Sequence, residues 1–291
     1  MTPIYKTAEG ERLVRERYLA FLKYWPVPNQ QIRIATRQGE TFVVACGNVD
    51  APPLLLLHGS AGNSVMWIGD VATFAAHFRV YAIDMIGEAG LSAPSRPPLD
   101  SDAYAEWLDE VLDSLSVDRV SIVGISLGGW LALDYAIRRR NRVARLAVLC
   151  PGGVGRQKLG ILIAAIAFGM CGAWGKRRLA EIIFGHRPAN LSPAGKAFMN
   201  FIALIHEHFR PRMAKLPVFQ DESLGRATMP VLAIVGARDV MLDSAGTKRR
   251  LERTVPNAEI AMLPDAGHVI TGQADRVVKF LVGVREDGGN H

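Results

Sequence analysis

Residues 120–129 read Val-Ser-Ile-Val-Gly-Ile-Ser-Leu-Gly-Gly. A short apolar run rich in β-branched residues enters Gly124-Ile125-Ser126-Leu127-Gly128, and a segment of helical period, 128–138, leaves it. A strand that turns this sharply into a helix strains the backbone of the central serine. Glycines on either side let neighbouring backbone pass close. The Ser126 hydroxyl is then presented at the end of a strand, which makes it the candidate nucleophile.

Outward from this turn, similar apolar runs recur at 53–57, 80–83, 146–150, 231–235 and 259–263. Their near-continuous Val, Ile, Leu and Ala content suits strands covered on both faces. Amphipathic segments such as 104–114 and 245–254 lie between them. Strand alternating with helix implies an α/β fold: a mostly parallel central sheet with helices on both faces and catalytic groups at the strands' C-terminal ends. Upstream, 31–36 and 41–46 form a hairpin around Gln38-Gly39, and 8–25 reads as an amphipathic helix stopped by Pro26 and Pro28. The alternation breaks at 151–226, where helix-like segments occur without a convincing strand. The expected organisation is an N-terminal helical extension (1–30), an α/β core (31–150 and 227–291) and a helical cap (151–226).

A serine hydroxyl is a weak nucleophile and needs a base, which itself needs an orienting carboxylate. The strand at 231–235 runs into Gly236-Ala237-Arg238-Asp239, and the strand at 259–263 into Pro264-Asp265-Ala266-Gly267-His268. Asp239 and His268 therefore reach the same sheet edge as Ser126. Asp243 and Asp265 compete with Asp239 but do not occupy its strand-end position. A tetrahedral intermediate also needs donors for its oxyanion. After the strand at 53–57 comes His58-Gly59-Ser60-Ala61-Gly62, and the expected donors are the backbone amides of Ser60 and Leu127. His58, directly before the glycine, reads as a brace for this loop.

Composition narrows the class. Hydrophobic residues make up 49% and charged residues 21%, as in a globular protein. The net charge of +6 raises the question of a polyanion partner, but Arg138, Arg139, Arg140 and Arg142 cluster where a helix should end and complement its dipole. Lys176-Arg177-Arg178 and Lys248-Arg249-Arg250 lack interleaved aromatics, so no nucleic acid is expected. Cys46, Cys150 and Cys171 are scattered, and no secretory leader is apparent, which suggests a cytoplasmic protein. No nucleotide or metal motif occurs, so no cofactor is expected. The apolar run at 159–174 could pack the cap, wall an acyl pocket or face a membrane.

Five motifs together resemble the α/β-hydrolase superfamily over nearly the whole chain: HGSAG (58–62), DMIGEAGLS (84–92), GISLGG (124–129), GARD (236–239) and AGH (266–268). Within it the chain looks like bacterial carboxylesterase-like hydrolases with an N-terminal helical extension and a helical cap. The order Ser126, Asp239, His268 is that of the superfamily. The resemblance implies a serine hydrolase that cleaves a carboxylic ester of a small lipophilic substrate through an acyl-enzyme. It also leaves open a cofactor-free haloperoxidase or perhydrolase, a carbon-carbon hydrolase, or a non-hydrolytic receptor, since this scaffold hosts all of them. Serine at 126 disfavours dehalogenases and epoxide hydrolases, which use aspartate there. Glu88 departs from the D-x-x-G-x-G-x-S pattern of many relatives and adds a carboxylate near the mouth of the site.

Overall fold

The structure is a computed structural model that describes residues 3–158 and 191–283 and, between them, Gly160, Phe168, Gly172, Trp174, Gly175 and Arg178. The rest of the apolar run at 159–174, with Cys171, Lys176 and Arg177, lies outside the described residues.

Eight strands form one sheet: β1 (Asn29–Thr36), β2 (Gly39–Cys46), β3 (Pro53–Leu57), β4 (Arg79–Ile83), β5 (Val120–Ile125), β6 (Val143–Leu149), β7 (Val231–Gly236) and β8 (Ala258–Leu263). Their order is β1-β2-β4-β3-β5-β6-β7-β8. The β1–β2 hairpin and the β2–β4 pair are antiparallel, and every later pair is parallel. The described helices are α1 (Ala8–Leu22), α2 (Val71–Ala75), α3 (Ala103–Ser114), α4 (Leu127–Arg138), α5 (Pro193–His208), α6 (Asp221–Leu224), α7 (Ser244–Thr254) and α8 (Ala274–Val282). The α/β architecture expected from the alternating pattern is therefore the one observed.

The two-residue period of a strand sorts the core. Leu55 and Leu57 of β3 pack with α3, α4 and α7 on one face. Leu54 and Leu56 pack with α1, α2, α5 and α8 on the other. Strand ends move by a few residues from their sequence-based limits. The strand expected at 146–150 starts at Val143 and stops at Leu149, because Cys150 turns to a left-handed φ of 44°.

The arginine cluster lies at the end of α4, where the sequence places it, and its side chains in addition find acidic partners. Arg138 pairs with Asp102 and Asp134, Arg139 with Asp102 and Asp109, and Arg142 with Asp113. These cations therefore bind α3 and the loop before it to the end of α4. Net charge could not reveal this, since the partners lie about 30 residues away in sequence.

Between β6 and β7, α5 packs on α1. Phe201 stacks on Tyr18 with ring centroids 6.4 Å apart, and Tyr5 and Phe209 form an isolated antiparallel bridge. Tyr18 also donates its hydroxyl to the fully buried Asp84 at 2.8 Å. Asp84 further accepts from the Ser64 amide and hydroxyl and from the Leu91 amide. A carboxylate this deep is tolerable only with several donors. Tyr18→Phe should thus cost about 1.5–3 kcal/mol, the usual worth of a hydrogen bond to a charged group. Urea denaturation checks this, and an unchanged midpoint would show that Asp84 does not depend on α1.

Candidate active site

Ser126 sits between β5 and α4 with φ 54° and ψ −107°. Its amide donates to the Leu149 carbonyl at 2.9 Å, and its carbonyl accepts from the amides of Trp130 and Gly152. The flanking glycines are required by space. A Cβ on Gly124 would stand 2.4 Å from the Gly128 carbonyl oxygen, and one on Gly128 would stand 2.2 Å from that of Leu57. A side chain at Gly128 would push the elbow off β3, and one at Gly124 would push β5 away from the start of α4.

The loops after β7 and β8 bring their residues to this turn. His268 Nε2 lies 3.0 Å from Ser126 Oγ, and His268 Nδ1 lies 2.8 Å from Asp239 Oδ2. Asp239 Oδ1 accepts from the amides of Met241 (2.7 Å) and Leu242 (3.0 Å), so both carboxylate oxygens are held. Asp239 is 1% exposed. Burial pushes its carboxyl up, but the hydrogen bond and charge of His268 and the two amides outweigh it and hold the group below its ordinary range. An ionised Asp239 fixes the proton of His268 on Nδ1, leaving Nε2 free to accept from the serine.

The competing carboxylates are placed elsewhere. Asp243 caps α7, with Oδ1 accepting from the Gly246 amide at 2.9 Å. Asp265 is exposed and pairs with Arg238 at 2.6 Å.

The loop after β3 closes the other side. A Cβ on Gly59 would meet Ser126 Cβ at 3.8 Å, so this loop lies directly against the elbow. Among the described residues, the amides of Ser60 and Leu127 donate to no protein acceptor. His58 is fully buried, and burial holds its imidazole below the ordinary value, hence neutral. Its Nδ1 donates to the Gly59 carbonyl at 2.8 Å, and its Nε2 accepts from the Met85 amide at 3.0 Å. It thereby braces loop 58–62 against the chain after β4.

Glu88 is not at the mouth of the site. It is 2% exposed and lies under this loop, with Oε2 accepting from the Ala61 amide at 2.7 Å. Sequence reasoning missed this because a lone charge in a Gly-rich loop looks solvated. The signal that could have suggested it is Ala89 beside Glu88, an apolar residue within the glycine pattern.

Cys150 is a second unanticipated neighbour. Its sulfur, a His268 nitrogen and an Asp239 oxygen lie within 4.8 Å of one another. Burial, with the Asp239 charge adding to it, pushes the thiol up to about 12. A neutral thiol is a poor metal ligand, and Asp239 and His268 are already bonded to each other. The cluster is a bonded imidazole–carboxylate pair backed by a neutral thiol.

With this geometry established, comparison with known proteins gives a consistent result. A sequence model described as the alpha/beta hydrolase family matches residues 54–280, most of the chain. The chain belongs to the alpha/beta hydrolase family. This hydrolase is 30% identical over 275 residues to an uncharacterised carboxylesterase, nap, of Bacillus subtilis, covering 91% of each chain. It also resembles the crystal structure of carboxylesterase CesB (YbfK) from Bacillus subtilis, with TM-score 0.81, 28% identity, and 95% of this chain and 99% of that one covered. The naproxen esterase (carboxylesterase NP) structure from the same organism superposes with TM-score 0.79 at 28% identity, over 94% of the hydrolase and 99% of the esterase.

Proposed function

We propose that this hydrolase is a serine carboxylesterase in which Ser126 is the nucleophile, His268 the general base and then acid, and Asp239 the residue that orients the base. The observation that carries this reading is the unbroken chain from Asp239 through His268 to Ser126 Oγ, with links of 2.8 and 3.0 Å. Carboxylesterase names among relatives that align over nine-tenths of the chain support the ester as substrate.

In the proposed reaction Ser126 Oγ attacks the ester carbonyl as its proton moves to His268 Nε2. The carbonyl oxygen becomes an oxyanion facing the amides of Ser60 and Leu127. Collapse expels the alcohol, protonated by His268, and leaves an acyl-enzyme. Water deprotonated by the same imidazole then releases the acid. The apolar side chains of Ile86, Leu127 and Trp130 beside the elbow suit a small lipophilic substrate. Segment 151–226, which departs from the C-terminal end of β6 at this edge, acts as the cap that excludes water. Among the described residues no helix is long and apolar enough to cross a membrane.

The test is a panel of nitrophenyl esters from acetate to decanoate, with thioesters, lactones and vinylogous diketones, assayed with wild type and a nucleophile-less control. Esters should turn over fastest. Faster cleavage of the diketones, or peracid formation from hydrogen peroxide outrunning hydrolysis, would replace the ester reading.

The pH profile follows from the proposed roles. Asp239 is held below the ordinary carboxylate range, so it stays ionised as pH falls through neutrality. A protonated His268 cannot accept from Ser126, so activity should fall on acidification. Activity that stayed flat down to about pH 5 would exclude histidine as the base. EDTA should have no effect on the rate, and loss reversed by zinc would overturn the cofactor-free reading.

A further inference from the structure

We propose that Glu88 is a positioning residue for catalysis: its buried carboxylate locks the strained Ala61 peptide and so aims the Ser60 amide at the developing oxyanion. This rests on the serine esterase reading above and adds to it a residue that acts through the loop without touching the reacting atoms.

Ala61 carries a left-handed φ of 54°, a conformation that L residues other than glycine avoid. Such strain persists only where the surroundings impose it. Loop 58–64 is joined to the chain after β4 at three further points: Ser64 to Asp84, Asn63 to the Ala89 carbonyl at 2.9 Å, and Met85 to His58. None of these holds residue 61. The Ala61 amide is gripped by Glu88 alone among the described residues, through a charge-assisted bond of 2.7 Å. With that bond lost, a buried N–H would be left unpaired and the strain could relax, carrying the adjoining Ser60 peptide with it.

The surroundings of Glu88 suit a held carboxylate. Arg96, from the loop before α3, and Arg212, from the segment after α5, both face it with positive charge, and the Ser60 side chain lies near it. Tyr104 of α3 lies near it and accepts from Arg212. Arg96 is anchored on the carbonyls of Gly87 and Arg210, and Arg212 on that of Pro97. Both therefore act as fixed counter-charges. Burial still wins and raises the carboxyl to about 7, so the charged form that grips best is the one present above neutrality. Glu88 also lines the same small cavity as Leu127, the second proposed donor, so direct contact with substrate must be distinguished from positioning.

The experiment compares wild type, Glu88→Ala and Glu88→Gln at about pH 8, one unit above the raised carboxyl. The readouts are kcat, KM, melting temperature and inhibition by an alkyl trifluoromethyl ketone. Ser126 Oγ adds to that ketone carbonyl, its proton passes to His268, and the carbonyl oxygen becomes an oxyanion in the same hole. Positioning predicts a kcat loss of about 10- to 100-fold in Glu88→Ala with KM nearly unchanged, and ketone affinity weakened in parallel. Glu88→Gln keeps an acceptor for Ala61 and should recover part of both. If the alanine variant does not fold, the near-isosteric glutamine variant carries the test with an expected loss of roughly threefold or more in both readouts. An unchanged kcat and ketone affinity would overturn the proposal, as would a rise in KM alone, which would place Glu88 against substrate. A wild-type enzyme that the ketone does not inhibit would instead overturn the serine esterase reading beneath it.

Discussion

Replacing Ser126 by alanine should lower ester turnover by a factor on the order of 10⁴–10⁶ while leaving the fold intact. Both halves of this expectation come from the elbow. The left-handed φ of 54° penalises any residue with a Cβ, so alanine adds no strain that serine did not already impose. The backbone bonds that hold the turn, from Ser126 to Leu149, Trp130 and Gly152, do not involve the hydroxyl. What vanishes is the nucleophile. Water attacking directly, assisted by the remaining donors, recovers only a small residual rate. Circular dichroism and melting temperature should match wild type. A variant retaining more than about 10% of wild-type turnover would remove Ser126 from the mechanism.

Asp239→Asn should cost on the order of 10⁴ in turnover, nearly as much, although it changes one atom. Asp239 Oδ1 accepts two backbone amides and Oδ2 accepts from His268. An asparagine keeps its carbonyl oxygen on the amides and turns an NH₂ toward the imidazole. His268 must then accept at Nδ1 and carry its proton on Nε2, where it can no longer take one from serine. Asp243→Asn and Asp265→Asn serve as controls. Asparagine caps a helix as well as aspartate does, and the exposed Arg238–Asp265 pair is worth little. If either control matched the loss at position 239, the assignment of the orienting carboxylate would be wrong.

Much of the architecture was legible because both kinds of element write their period into the chain. The runs at β3, β5 and β7 are almost wholly apolar because helices cover both faces, and the ends of β5 and β7 place Ser126 and Asp239 on one edge. Strand order was not legible. Nothing local in β3 or β4 says that β4 lies between β2 and β3, since that depends on which edge each crossover returns to. Charged groups were read least well. The arginines around 138–142 looked like a helix-end feature, yet they are held by aspartates from α3 and its preceding loop. Glu88 read as a carboxylate near the mouth of the site and lies buried beneath a loop. In both cases the deciding partner is remote in sequence, and no periodicity records it. The candidate site divides the same way: strand ends bring Asp239, His268 and Ser126 to one edge, whereas the grip on Ala61 emerges only from contacts.

The packing of α1 on α5 also sets an order for synthesis. Phe209, which closes over Tyr5, follows Leu22 by 187 residues. At about 5–20 residues per second, α1 waits roughly 10–40 s on a translating ribosome before its partner surface exists. A 15-residue helix is marginal in water on its own, so Phe21 and the face of Tyr18 that Phe201 covers stay open throughout that interval. The side of α1 that faces α5 waits for its cover long after the segment itself is made, which makes it a natural place for a chaperone to hold the nascent chain.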